Sequence, residues 1–256
     1  MIELDPRASA AGVRLLAYDE IDSTNAEALH LMRQGEHGPL WITAERQSAG
    51  RGRRGRKWIS VAGNLHASLL LTDPGPAEQW PQLSFVASLA VHDAVVEVAP
   101  DVKPRLELKW PNDLLLSGNK FAGILIEGEG TEEEGAVAIG IGINCTAHPA
   151  RAAYPATDLA ASGASVSAAV LFKALSMKMP GRLAQWNRGN GFATIRADWL
   201  ARAAGLGEDI RVVLADREVA GRFEGLDDTG CLVLIAPDGG KTVVAAGDVV
   251  SFGGSR

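Results

Sequence analysis

Gly50-Arg51-Gly52-Arg53-Arg54-Gly55-Arg56-Lys57-Trp58 lies between the strand-like runs Leu40-Trp41-Ile42-Thr43-Ala44 and Asn64-Leu65-His66-Ala67-Ser68-Leu69-Leu70-Leu71, so it reads as a loop mounted on a sheet. Five cations and three glycines share those nine residues. From Arg46 to Lys57 there are six positive charges and no negative one, so in a chain of net charge -6 the remainder carries about -12. Glycine lets the backbone approach a ligand closely and adopt positive φ, while guanidinium forks bind phosphate through two hydrogen bonds. The segment therefore has the makings of a phosphate cradle. Gly50 to Gly55 matches the two-glycine spacing of G-x-x-x-x-G-K-[ST], but Arg56 stands where that motif needs lysine and Lys57 where it needs a hydroxyl. A solvated basic face and a nucleic-acid contact are the rival readings. Glycine spacing gives a solvated face no advantage, and arginine–glycine tails usually sit at termini in low-complexity sequence. With so many like charges, the loop is expected to stay mobile until anions reach it.

Working outward, a chain of 256 residues that is 46% hydrophobic can bury a substantial core, enough for one large domain and one small one. Glu3, Asp5 and Arg7 give the N-terminus no signal-peptide pattern. No apolar stretch reaches the ~18 residues of a membrane span, so a cytoplasmic protein without membrane association is expected. Cys145 and Cys231 are too few and too far apart for a disulfide framework and read as buried small hydrophobes. The five histidines show no metal-ligand spacing.

Thr24-Asn25-Ala26-Glu27 has the form of a capping box opening a short helix that stops at Gly35. Leu83, Val86, Ala87, Ala90, Val91, Ala94, Val95 and Val98 recur at helical spacing, with Pro100 beyond the end. Strand-like segments follow at 106–110, 114–116, 121–127 and 136–145, the middle two joined by a Ser117-Gly118-Asn119 turn. Two helical segments, 167–190 and 193–203, precede the break at Gly205-Leu206-Gly207. Beyond it, short β segments at 210–214, 219–223, 231–235 and 242–245 describe a small barrel that must dock on the main domain to bury its core.

Lys109-Trp110-Pro111-Asn112-Asp113 presents a cation, an amide and a carboxylate where proline ends a strand. Lys120-Phe121-Ala122-Gly123-Ile124-Leu125-Ile126-Glu127 opens an apolar strand with a lysine and carries a glycine where backbone could lie against a flat ligand. Gly140-Ile141-Gly142-Ile143-Asn144 adds a second apolar strand with one amide at its end. Together with the arginine–glycine loop these segments fit a small apolar carboxylate plus a nucleotide.

In order and spacing, these four segments resemble the signatures of biotin protein ligases, and Asp22-Ser23-Thr24-Asn25 is similar to that family's N-terminal ligand-binding stretch. The resemblance covers Tyr18 to Cys145 closely and the C-terminal part in outline; Cys145 stands where an aliphatic residue is more usual. It implies an α+β fold: a mixed β-sheet flanked by helices, class II synthetase-like, over residues 1–204, and a small SH3-like β-barrel over 205–256. It also implies an ATP-dependent reaction in which biotin becomes biotinyl-5′-AMP and then passes to a lysine of a biotin carboxyl carrier domain. By the same resemblance Ser23, Thr24, Asn25 and Gln47 would hydrogen-bond biotin, and Gly123 and Leu125 would line its slot. Arg51, Gly52, Arg53 and Lys120 would meet the carboxylate and α-phosphate, with Arg53 and Lys120 catalytic. Arg51, Arg53, Arg56, Trp58, Asn112, Asp113 and Asn144 would bind the nucleotide, Trp58 by stacking on adenine and Asn144 by hydrogen-bonding it, and Asp113 would serve Mg2+. Ser23 to Asn25 lies too near Met1 for the winged-helix domain of many bacterial relatives, so a ligase that does not bind DNA is expected. A lipoate ligase or transferase is the rival within the same fold, although such enzymes typically lack the arginine–glycine loop. Monomer and homodimer both remain open.

Overall fold

The computed structural model describes residues 2–130, 135–150 and 154–252. The first half runs α1 (Pro6–Ala10), β1 (Arg14–Ile21), α2 (Thr24–Arg33), β2 (Leu40–Gln47), β3 (Leu65–Thr72), α3 (Leu83–Val98), β4 (Leu106–Lys109), β5 (Asp113–Leu116), β6 (Asn119–Gly130) and β7 (Gly135–Ile143). The second runs α4 (Ala168–Trp186), α5 (Phe192–Leu200), β8 (Asp209–Val213), β9 (Glu218–Leu226), β10 (Leu232–Ile235), β11 (Lys241–Val244) and β12 (Asp248–Phe252).

Seven strands form one mixed sheet in the order β1-β2-β3-β7-β6-β5-β4, parallel only between β1 and β2. The hairpins of the sequence dictate that antiparallel majority. α3 is apolar on nearly every side, as a helix enclosed between a sheet and other helices must be. With α4 and α5 it covers one face, where Trp41 meets Phe172 edge-on at 5.3 Å and Phe85 meets Trp199 at 5.3 Å. Such pairs contribute about 0.5–1.5 kcal/mol beyond their burial. Arg182 of α4 binds Asp93 of α3 and Asp198 of α5, tying the three helices together. α2 covers part of the other face through Ala28 and Leu29, leaving the ends of β6 and β7 uncovered for the site.

The C-terminal strands form a second, antiparallel sheet in the order β11-β10-β9-β8-β12. Among the described residues no ladder joins its edge strands β11 and β12, so the hydrogen bonding of the expected barrel is that of an open five-stranded sheet. Its apolar residues Ile210, Val212 and Phe223 are continuous with the main core. Docking is fixed further by Trp110 Nε1 donating to the Gly230 carbonyl at 3.1 Å.

Several boundaries differ from those read in the sequence, each for a physical reason. β1 was not legible because it is an edge strand with most side chains in solvent and hence no alternating apolar pattern. The cap of α2 is Ser23, one residue earlier than the Thr24 capping box, and Glu27 instead accepts from the Tyr18 hydroxyl at 3.0 Å. Thr24 is drawn into the site by Gln47, which leaves the capping position to its neighbour. α4 stops at Trp186, four residues short of Asn190, because Asn187 and Arg188 both adopt positive φ. Cys145 is buried, which pushes its thiol up to about 12, but Cys231 is only half-buried beside Thr229.

Candidate active site

β6 and β7 pair with Gly123 opposite Gly142 and Leu125 opposite Gly140, so one strip of sheet is almost bare of side chains. What lies on it explains the glycines. A Cβ on Gly142 would fall 2.5 Å from the Trp58 indole, and one on Gly140 would fall 2.5 Å from Asn25 Oδ1. Glycine alone lets an aromatic ring and an amide rest directly on the backbone. The cavity above this floor has a volume of about 350 Å3, in the range of small-molecule sites.

At one end the cavity is polar. The Ser23 hydroxyl caps α2, and Gln47 Oε1 at the end of β2 accepts from the Thr24 amide (2.8 Å) and hydroxyl (3.1 Å). Gln47 Nε2 donates to Ser60 Oγ at 3.1 Å. Ser68 Oγ lies 2.7 Å from Thr24 Oγ1 and 2.6 Å from Asn25 Oδ1, while Asn25 Nδ2 donates to Glu127 Oε2 at 2.9 Å. Buried amides and hydroxyls are thus oriented by one another. Trp58 Nε1 is buried without a hydrogen-bond partner, a donor left over for something in the cavity.

The arginine–glycine loop closes the other side. Gly52 N donates to the Arg56 carbonyl at 2.7 Å and Trp58 N to the Gly50 carbonyl at 2.9 Å, making a tight turn in which Arg54 and Gly55 take positive φ. The loop is folded here, and the protein supplies anions for the cations that were expected to keep it mobile. Arg51 Nη2 pairs with Glu127 at 2.9 Å. Asp248, at the start of β12, receives Arg56 at 3.0 Å, Arg54 at 3.3 Å and Arg53 at 3.5 Å. Arg53 also donates to Asn112 Oδ1 at 3.1 Å, and burial holds its guanidinium below the usual arginine value.

Beneath the loop, Lys120 Nζ donates to Asp113 Oδ1 at 2.5 Å and Lys109 Nζ lies 3.8 Å from Asp113 Oδ2. Lys109 is 7% exposed, and that burial lowers its pKa, with Asp113 only partly offsetting it. Asn112 Nδ2 donates to the Ile124 carbonyl at 2.7 Å, binding the proline-ended strand to β6. Asn144 Nδ2 donates to the Thr157 carbonyl at 3.1 Å.

The residues singled out in the sequence therefore converge. Ser23, Thr24, Asn25, Gln47, Arg51 and Gly52 line the cavity, as do Arg53, Arg56, Trp58 and Asn112. Lys120, Gly123, Leu125 and Asn144 line it too, and Asp113 stands just behind Lys120. Sequence reasoning missed Tyr154 and Ile59 on the wall, Ser68 below Asn25, and Asp248. Ser68 sits in a quoted strand and faces the same side as the site, so period-2 alternation could have found it. Nothing local marks Asp248, which lies 194 residues from Arg54.

Comparison with known proteins agrees with this geometry. Residues 18–144 match the Biotin/lipoate A/B protein ligase family and residues 205–251 the Biotin protein ligase C terminal domain. The chain is 45% identical over 240 residues to a biotin--[acetyl-CoA-carboxylase] ligase of Paracoccus denitrificans, covering 91% of this chain and 98% of that one. It is 36% identical over 235 residues to the Mycobacterium tuberculosis protein of the same name, covering 89% and 85%. The Aquifex aeolicus biotin protein ligase in complex with biotin and ATP is similar in structure, with a TM-score of 0.76 at 26% identity over 93% of this chain and 97% of that one. A bare glycine floor, a polar network at one end and a folded arginine loop at the other, in a chain that aligns almost end to end with such relatives, make this protein a member of the biotin protein ligase family.

Proposed function

We propose that the chain is a biotin–[acetyl-CoA-carboxylase] ligase, joining biotin to ATP and passing the biotinyl group from biotinyl-5′-AMP to one lysine of a biotin carboxyl carrier domain. The observation that carries this reading is one cavity in which an apolar floor, an amide-rich end and five cations meet. In the first step a biotin carboxylate oxygen bonds to the α-phosphorus, and the bond to the bridging oxygen breaks as pyrophosphate leaves. Every reacting group is anionic, so catalysis requires positioning and charge neutralisation rather than a covalent nucleophile. Lys120, Arg51, Gly52 and Arg53 serve the carboxylate and α-phosphate, with Ser23, Thr24, Asn25 and Gln47 at the biotin polar end and Gly123 and Leu125 along its slot. Trp58 takes the adenine, and Arg56, Asn112, Asp113 and Asn144 complete the nucleotide side. In the second step the carrier lysine amine forms an amide as the acyl–oxygen bond breaks and AMP departs.

Mg2+ binds proteins through one or two carboxylates and takes its other ligands from phosphate and water. Asp113 is held between Lys120 and Lys109 and the Asn112 amide oxygen accepts from Arg53, so these two residues do not fit the ion as they stand, and no step is assigned to it. The lipoate reading has less support, since the C-terminal match is to biotin protein ligases. Against the nucleic-acid reading, the loop arginines are folded onto Glu127 and Asp248 rather than spread over an open face. Among the described residues no helix is long and apolar enough to cross a membrane. The test is to mix the protein with biotin, Mg-ATP and a carrier domain and blot with streptavidin, with titrations of biotin and lipoate alongside. Absence of labelled carrier, or tighter binding of lipoate, would overturn the proposal.

A further inference from the structure

Tyr154 heads a short segment strapped to the start of β6. Lys120 N donates to the Pro155 carbonyl and Thr157 N to the Lys120 carbonyl, both at 2.9 Å, and Asn144 Nδ2 holds the Thr157 carbonyl. So mounted, the Tyr154 ring lines the cavity and meets two cations. Lys109 Nζ is 4.4 Å from the ring centroid, and Arg56 lies on it at 5.8 Å with Nη1 3.5 Å from the hydroxyl.

The neighbouring carboxylate is shared. Asp113 binds Lys120 at 2.5 Å and faces Lys109 at 3.8 Å, beyond hydrogen-bond distance. A buried ammonium with no other attraction would move onto that carboxylate and compete with Lys120. An aromatic face within about 6 Å attracts a cation without carrying charge, and does so most strongly where water is excluded. The ring therefore holds Lys109 at 3.8 Å from Oδ2, and the charge of the carboxylate is left mainly to Lys120 on Oδ1.

We propose that Tyr154 is a positioning residue for adenylate formation, acting through Lys109 to keep Lys120 in register with the reacting carboxylate and phosphate; this rests on the ligase reading above. The experiment is biotin-dependent ATP–pyrophosphate exchange on the full chain, with biotin affinity by calorimetry and a thermal melt for each variant. Tyr154→Leu lowers kcat about tenfold, the scale of one desolvated cation–π contact, while biotin affinity stays within about twofold. Tyr154→Phe keeps the ring face and stays within about threefold of the parent. Because Tyr154 acts through Lys109, Tyr154→Leu costs little more in a Lys109→Met background, a non-additivity that a purely structural role would not produce. Tyr154→Gln is the second truncation. The inference is overturned by a normal kcat for Tyr154→Leu, by equal loss in Tyr154→Phe, by full additivity with Lys109→Met, or by unfolding of both truncations. A parent without biotin-dependent exchange overturns the ligase reading first, whereas an active parent with indifferent Tyr154 variants overturns this inference alone.

Discussion

Asp248→Asn tests how the C-terminal sheet and the arginine loop depend on each other. The side chain is 14% exposed and pairs with three arginines whose exposures are 21% for Arg53, 37% for Arg54 and 41% for Arg56. Unit charges at such separations attract by about 5 kcal/mol each at an effective dielectric of ~20, but desolvation and screening remove most of that. The two exposed pairs contribute about 0.5 kcal/mol apiece. The more buried Arg53, an ion pair at 3.5 Å rather than a hydrogen bond, contributes about 1–2 kcal/mol because its burial weakens the screening. Asparagine fills the same space, so no cavity adds to a total of about 2–3 kcal/mol. The melting temperature should fall by roughly 4–12 °C, since about 1 kcal/mol shifts a chain of this size by roughly 2–4 °C. Opening of the loop should rise at least tenfold, read as the rate at which trypsin cuts between Arg51 and Lys57. Both differences should shrink at 1 M salt, where the exposed pairs are screened in the parent as well. If the melt moves by under 1 °C and the cutting rate stays within twofold, the loop is held by something other than Asp248.

Lys120→Ala should lower adenylate formation about a hundredfold, some 3 kcal/mol of transition-state stabilisation, while biotin binding changes far less; pyrophosphate release within a few-fold of the parent would contradict that role. Gly142→Ala should push Trp58 off the floor, since the new methyl would sit 2.5 Å from the indole, and raise the KM for ATP roughly tenfold; an unchanged KM would show that the ring need not rest there. The Asp93 carboxyl is penalised by burial, yet hydrogen bonds from His92 and Arg182 bring it below the usual carboxylate value. Its stabilising effect is therefore present above the unfolded carboxylate pKa of about 3.9 and is lost as pH falls through the lower folded value. In Arg182→Met that dependence should weaken, so the parent's loss of melting temperature below about pH 4 should become shallower, and an unaltered acid profile would assign it elsewhere.

What the sequence discloses about this protein follows from which interactions are local. The β6 and β7 strands, the Ser117-Gly118 turn and α3 are written in short-range periodicity and appear close to where they were read. Gly123, Gly140 and Gly142 were legible as places for close backbone approach, but not that the occupants would be Trp58 and Asn25, which arrive from a loop and a helix distant in the chain. β1 escaped because an exposed edge strand need not alternate, and β12 because its few buried residues fall in a short terminal run. The loop shows the limit most clearly. Six cations without an anion among them imply mobility for as long as only neighbours in sequence are considered. Glu127 and Asp248 supply the missing anions from about 76 and 194 positions away, and neither the spacing nor the composition around them announces it. Local patterns recruit the parts of the site, whereas the carboxylates that set the loop's resting position follow from topology, because β12 must lie beside β8 for the C-terminal sheet to bury its core.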